Sequence, residues 1–265
     1  MALPLALVKA HAYGNDFLIA TETDVGADDR AALARRVCNR HHGVGADGLL
    51  VVSETPAGAR MALLNADGSP SELSGNGVRC VAAWIAESRD TPRGTTLWVA
   101  TDAGRKTLTL VEREGRRFTF RAAMGPPEDL REVRLDVAGT TVSAVTMRVG
   151  NPQCVVLGAA TGERLRSIAA GLATHPHFPK GTNVELAEVL GPDRVRILIW
   201  ERGVGPTESS GTGTCAAAVA AAAYGGAARR VSVEAPGGVQ RVEWETDELW
   251  LTGWAELVGR VEWWR

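Results

Sequence analysis

The chain has 265 residues, 45% of them apolar, which fits one large domain or two smaller ones with ordinary cores. Its 29 Lys and Arg residues against 31 Asp and Glu give a net charge of −2 with no long like-charge run, a balance that argues against a nucleic-acid surface. No apolar run reaches the ~18 residues of a membrane span, the four cysteines Cys38, Cys80, Cys154 and Cys215 have neither CxxC nor zinc spacing, and a cytoplasmic location is expected.

The apolar start, residues 1–7, lacks a basic region and a cleavage site and runs into Lys9, so it reads as a buried first strand. Residues 5–20 read as strand, turn, strand, with Tyr13-Gly14-Asn15-Asp16 as the turn. A helix with an acidic N-cap is predicted over 28–36. A tight loop, 43–48, leads into an apolar strand at 49–52, and a second strand at 61–64 ends in the turn Asn65-Ala66-Asp67-Gly68. Beyond Ser74-Gly75-Asn76-Gly77 a buried helix is predicted over 78–87, followed by alternating strands through 95–120. Met124-Gly125-Pro126-Pro127 is the best linker. The second half repeats the plan: strands to 148, the turn Gly150-Asn151-Pro152, a strand at 154–157, a helix over 163–173 and the loop Gly181-Thr182-Asn183. A strand at 194–200 then closes in Glu201-Arg202-Gly203-Val204-Gly205. Residues 215–224 are nearly all alanine, a helix sheathed by sheet that stops at Gly225-Gly226, and short alternating strands end the chain.

The two halves match at particular places. Ser74-Gly75-Asn76-Gly77 answers Ser210-Gly211-Thr212-Gly213, an offset of 210 minus 74, or 136 residues. Gly14-Asn15 and Glu72 recur at the same offset as Gly150-Asn151 and Glu208. Two homologous lobes are the expectation, 1–123 and 124–254, with a C-terminal strand at 255–265 free to return to the first. Both SGxG turns precede an apolar helix, where glycines let a ligand approach and unpaired N–H groups favour anions. Either serine alone reads most simply as a helix cap. In register and together, Ser74 and Ser210 read as a site, one reactive residue for each face of a ligand, with Gly75, Asn76, Gly211 and Thr212 presenting N–H groups to a carboxylate. Asn15, Asn65, Asn151, Asn183, Glu201 and Arg202 add a polar ring, although an asparagine in a turn is usually just a left-handed residue. Arg202 suits a carboxylate bidentately, and Glu201 suits an ammonium group.

The stretches His11-Ala12-Tyr13-Gly14-Asn15-Asp16-Phe17, Asn65-Ala66-Asp67-Gly68-Ser69, Gly75-Asn76-Gly77-Val78-Arg79-Cys80, Gly150-Asn151-Pro152, Gly181-Thr182-Asn183, Glu201-Arg202-Gly203 and Gly211-Thr212-Gly213-Thr214-Cys215 resemble the diaminopimelate epimerase family, in family order over essentially the whole chain. The resemblance implies an α+β fold of two pseudo-symmetric lobes, each of mainly antiparallel strands curled around a central helix. It also implies inversion at an amino-acid Cα without cofactor or metal, one cysteine taking the proton and an opposed cysteine returning one, with the polar ring holding the substrate's far end. Here Ser74 and Ser210 stand at the two cysteine positions, and Gln153 stands where the family has histidine. A serine hydroxyl is a far weaker acid than a thiol and needs an adjacent base.

Three accounts stay open: an inactivated epimerase that interconverts LL- and meso-diaminopimelate poorly, a divergent racemase, epimerase or dehydratase for another amino acid, and a non-catalytic amino-acid-binding protein. The expected partner is a small-molecule amino acid, not nucleic acid or membrane, with a homodimer left open; the Trp263-Trp264 tail hints at an interface. Of the three lysines, Lys9, Lys106 and Lys180, Lys180 alone lies near a site motif.

Overall fold

The computed structural model describes residues 4–56, 58–71, 74–102, 104–246 and 248–264. The chain divides into two compact units, Met1–Ala122 with Trp254–Arg265, and Ala123–Gly253.

In the first unit β1 (Leu5–Ala12) and β2 (Asn15–Thr21) form an antiparallel hairpin. After α1 (Glu22–Val25) and α2 (Arg30–Val37), β3 (Gly48–Thr55) returns parallel to β2, and β4 (Gly58–Asn65) pairs antiparallel with β3. The short β5 (Pro70–Ser71) leads to α3 (Gly75–Ser88), and then β6 (Thr96–Thr101) joins parallel to β4. β7 (Gly104–Glu114) and β8 (Arg117–Gly125) continue as antiparallel neighbours.

The second unit repeats this order. β9 (Glu128–Val137) pairs with β10 (Thr140–Val149), and β10 with β11 (Asn151–Leu157). After α4 (Gly162–Ala173), β12 (Asn183–Gly191) lies parallel to β11 and is followed by β13 (Arg194–Glu201) and β14 (Gly205–Thr207). Then α5 (Gly211–Tyr224) precedes β15 (Arg230–Ala235), parallel to β13, and β16 (Gly238–Trp244). β17 (Leu249–Trp263) pairs first with β16, and its far end pairs with β1 of the first unit, Leu5 opposite Trp263 and His11 opposite Glu256. The short strands expected toward the end of the chain are therefore β15 and β16, followed by one long strand. Its alternation of Trp, Glu and Val persists because a strand keeps its period of two wherever it finds a partner.

The α+β class holds, with one addition. Each unit packs helices on both faces of its sheet. In the first unit α3 fills one face with Tyr13, Phe17, Leu50, Ile85, Phe118 and Phe120, while α1 and α2 cover the other with Leu18, Leu33, Val37, Leu49 and Val51. β3 therefore alternates its apolar residues between two cores, which explains its unbroken apolar run. In the second unit α5 and α4 divide the faces likewise. The alanines of α5 are buried nearly all round, so packing rather than an amphipathic stripe holds it. Trp263 joins the outer core of the first unit, whereas Trp264 is 74% exposed. Met124 and Gly125 end β8, so of the expected linker only Pro126 and Pro127 lie between strands.

Candidate active site

Each serine of the repeated turn is the N-cap of its unit's buried helix. Ser74 has φ −132° and ψ 118°, and its Oγ accepts from Gly77 N at 3.0 Å. Ser210 has φ −142° and ψ 125°, and its Oγ accepts from Gly213 N at 3.2 Å. Capping and the expected functional role thus fall on the same atoms. The cap bond holds each Oγ at the positive end of a helix and leaves its hydroxyl proton available to donate. The first N–H groups of each helix, including those of Gly75, Asn76, Gly211 and Thr212, have no intrahelical acceptor and are the expected anion donors.

In the first unit two predicted residues meet. Asn15 Nδ2 donates to Asp47 Oδ2 at 2.8 Å, and Asn15 Oδ1 accepts from Asn76 Nδ2 at 3.2 Å. Asn76 Oδ1 in turn accepts from Arg79 Nη2 at 2.5 Å, and Arg79 lies 5.6 Å from the centre of the Tyr13 ring. Next to Asn15, Asp16 is gripped by Lys9 Nζ at 2.5 Å and Arg40 Nη2 at 2.7 Å. Burial alone would raise the Asp16 carboxyl, but hydrogen bonds from Arg40 and Lys9 outweigh it and hold the pKa down to about 2. Asn65 is exposed at the end of β4, where its Nδ2 donates to Ser69 Oγ within its own turn at 2.9 Å.

In the second unit the strand faces directed at α5 alternate: Gln153 and Val155 on β11, Asn183, Glu185 and Ala187 on β12, Ile197, Ile199 and Glu201 on β13. Toward one end these positions turn polar. Gln153 Nε2 donates to Asn151 Oδ1 at 2.5 Å, and Asn183 Oδ1 accepts from Arg202 N at 2.9 Å. Arg202 Nη1 donates to Lys180 O at 2.8 Å, so this exposed guanidinium leans from the β13–β14 turn onto the loop that precedes β12. The acceptor there is the Lys180 backbone carbonyl, not its side chain.

Glu185 was not anticipated. It is 0% exposed, and neither carboxyl oxygen has a hydrogen-bond partner among the described residues. A Cβ placed on Gly213 would lie 2.4 Å from Glu185 Oε1 and 3.2 Å from Ser210 Oγ, so both side chains close on one face of that glycine. Burial first, and the charge of Glu201 second, push the Glu185 pKa well above the usual carboxylate range. The strand registers show what the other unit has in its place. Phe17 pairs with Gly48 and Ile19 with Leu50, as Gln153 pairs with Asn183 and Val155 with Glu185. Leu50 faces Leu63 across the next ladder, as Glu185 faces Ile199. Phe17, Gly48, Leu50 and Asn65 thus correspond to Gln153, Asn183, Glu185 and Glu201. Leu50 Cδ2 lies 3.3 Å from the Cβ position of Gly77, the place the Glu185 carboxyl takes beside Gly213. One helix start rests on a methyl group, the other on a carboxyl.

The expected left-handed asparagines are not found. Among the described residues Asn15, Asn65, Asn151 and Asn183 all have negative φ, and glycines in the same turns, Gly14 (φ 89°), Gly68 (φ 84°), Gly150 (φ 74°) and Gly181 (φ 71°), take the positive values. The asparagine side chains are used for hydrogen bonding instead. Glu72 lies outside the described residues; its repeat partner Glu208 is exposed. The cysteines are all buried, and burial pushes the Cys80 thiol up to about 12, so it supplies no thiolate near Ser74.

The fold and the two serine-capped helix starts define a protein of two pseudo-symmetric strand-and-helix units. The family model for diaminopimelate epimerase matches residues 7–129 and 145–263. A diaminopimelate epimerase of Desulforudis audaxviator is 42% identical over 98% of this chain and 99% of its own length, and one of Moorella thermoacetica is 38% identical over 96% and 97%. Among solved structures, a phenazine biosynthesis protein of the PhzF family from Bacillus anthracis superposes with a TM-score of 0.73 at 14% identity, covering 98% of this chain and 99% of its own. A hydroxyproline epimerase from Agrobacterium vitis does so with a TM-score of 0.67 at 17% identity, covering 98% and 91%. At such identities these two share the fold alone. The chain belongs to the diaminopimelate epimerase family.

Proposed function

We propose that this protein acts at the Cα of diaminopimelate, interconverting the LL and meso forms by proton transfer at the Ser74 and Ser210 positions, and that it does so slowly. The observation that carries the reading is the pair of matching caps: two serines with nearly the same backbone angles, each anchored to the third N–H of a buried helix. The reacting carboxylate is held by the N–H groups at Gly75, Asn76, Gly211 and Thr212, which stabilise charge developing at Cα. Asn15, Asn65, Asn151, Asn183, Glu201 and Arg202 bind the amino and carboxylate groups of the substrate. Slow turnover follows from the hydroxyl: Ser Oγ takes the Cα proton only if its own proton can leave, whereas a thiol at a helix N-terminus ionises readily. The reaction is placed in the cytoplasm, and a second copy of the chain is the proposed partner, which exposed Val258 and Trp264 near the end of β17 support.

The test is restoration. Replacing both Ser74 and Ser210 with cysteine yields epimerase activity with a pH profile set by thiol ionisation, and each single replacement recovers far less because inversion needs a base and an acid together. In the unaltered chain, the Cα–H of diaminopimelate exchanges in D₂O faster than in a protein-free blank, and inversion lags behind exchange. A folded double variant that binds diaminopimelate and leaves its configuration untouched overturns the assignment. Binding with exchange no faster than the blank favours a silent amino-acid-binding protein.

A further inference from the structure

We infer that Glu185 is the proton partner of Ser210, a positioning residue that loads and unloads the hydroxyl from inside the second unit. Three observations meet on this carboxyl. It is wholly buried and both oxygens lack a hydrogen-bond partner among the described residues, an arrangement that costs stability and calls for a use. It closes on the same face of Gly213 as Ser210 Oγ. It also replaces Leu50 of the other unit, so packing alone does not require an acid at this position of the fold.

The exchange balances as follows, and its catalytic part rests on the proposed epimerase reading. When Ser210 acts as base, the two side chains, not hydrogen-bonded to each other at rest, first close on one another; Oγ then bonds to the proton leaving Cα as the original hydroxyl proton passes to the Glu185 carboxylate. The electron pair of the broken C–H bond stays on Cα. In the reverse stroke Oγ–H gives its proton to Cα, and the Glu185 carboxylic acid returns one to Oγ. Ser74 has Leu50 behind its helix start in the place of that acid, so the two serines are unequal. Because burial favours the neutral acid, Ser210 rests in its proton-delivering form, and its basic stroke strengthens as pH rises through the Glu185 pKa. The groups on the face that Glu185 takes are Gln153 of β11, Glu201 of β13 and Ser210 at the start of α5, and the Cys154 thiol feels its charge from the opposite face of β11. Glu201 and Cys154 are acids, so no cation among these neighbours offsets the burial.

Infrared difference spectroscopy on the full chain without ligand reads the pairing directly. A buried protonated carboxyl band is expected at neutral pH, lost in Glu185→Gln, shifted in Ser210→Ala and unmoved in Ser74→Ala. A band that ignores Ser210→Ala, or that moves only with Gln153→Leu, overturns the pairing. With diaminopimelate in D₂O, Glu185→Gln lowers Cα–H exchange about tenfold or more and flattens its rise with pH. Unchanged exchange and an unchanged profile also overturn it. If the band shifts in Ser210→Ala while the unaltered chain binds diaminopimelate without exchange, Glu185 pairs with Ser210 and the epimerase reading is what fails.

Discussion

Two carboxyls, Asp16 and Glu185, show how opposite surroundings act on one kind of group. Asp16 is ionised by Lys9 and Arg40, its pKa about 2 against an ordinary 3.8. A folded-state pKa below the unfolded one gives stability that is present above the ordinary value and lost as pH falls through the folded value. At neutral pH that difference corresponds to about 2 kcal/mol. Glu185 is raised, so the protonated form is the one favoured by folding, and its contribution fades as pH climbs from about 4.5 through its folded pKa. Denaturant titrations across pH should therefore lose stability between about pH 4 and pH 2 in the unaltered chain but not in Asp16→Asn. The decline on the alkaline side should be absent in Glu185→Gln. Asp16→Asn itself should cost about 2 kcal/mol at pH 7; a cost near zero there would mean that the Lys9 and Arg40 contacts are screened away.

At the scale of an element, the helix starts differ in what lies behind their glycine. Replacing a helical glycine with alanine ordinarily stabilises by about 0.5–1 kcal/mol. At Gly77 the nearest atoms to a new Cβ are a Leu50 methyl and Ser74 Cβ, both at 3.3 Å, a tightness that a shift of a few tenths of an ångström accommodates. At Gly213 the new Cβ would stand 2.4 Å from the buried Glu185 Oε1, and the carboxyl has no solvent to retreat into. Gly77→Ala is thus expected to be neutral or mildly stabilising, and Gly213→Ala to cost about 1–3 kcal/mol. Denaturant midpoints measure both. Adding Glu185→Ala to Gly213→Ala should return most of the loss, and a loss that persists would place the strain elsewhere.

For the whole molecule, the terminal strand decides which unit is complete. The far end of β17 supplies the outer partner of β1 and brings Leu257 into the inner core and Trp263 against the outer one. In the second unit β9 serves β10 in the corresponding way. Removing residues 254–265 should strip β1 of that ladder and forfeit about 2 kcal/mol for Leu257 alone. Hydrogen exchange should show protection lost in β1 and β2 and retained in β11, β12 and α5. Equal loss in both units would contradict this division of the core.

The sequence by itself determined the repeat, both SGxG helix starts, the order of strands and helices, the α+β class and the family. These follow from local chemistry: glycines where φ is positive, a serine before a helix, alternation of apolar residues along strands. The roles of individual polar residues depended on contacts distant in the chain. Asn15 and Asn76 are far apart in sequence and hydrogen-bonded in space, and Arg202 gives one guanidinium N–H to Lys180 O. Glu185 was hidden for a sharper reason. The offset that aligns the serines sets Glu185 opposite Leu49, which faces the outer core; the connections before β3 and β12 differ by one residue, and the ladders align it with Leu50. A shift of one residue along a strand reverses the face a side chain takes. The one signal in the sequence was an acid within the apolar run from Val184 to Ala187. Whether that acid faced solvent or lay buried beside the Ser210 helix start was decided by strand register, and register is set by pairing in three dimensions.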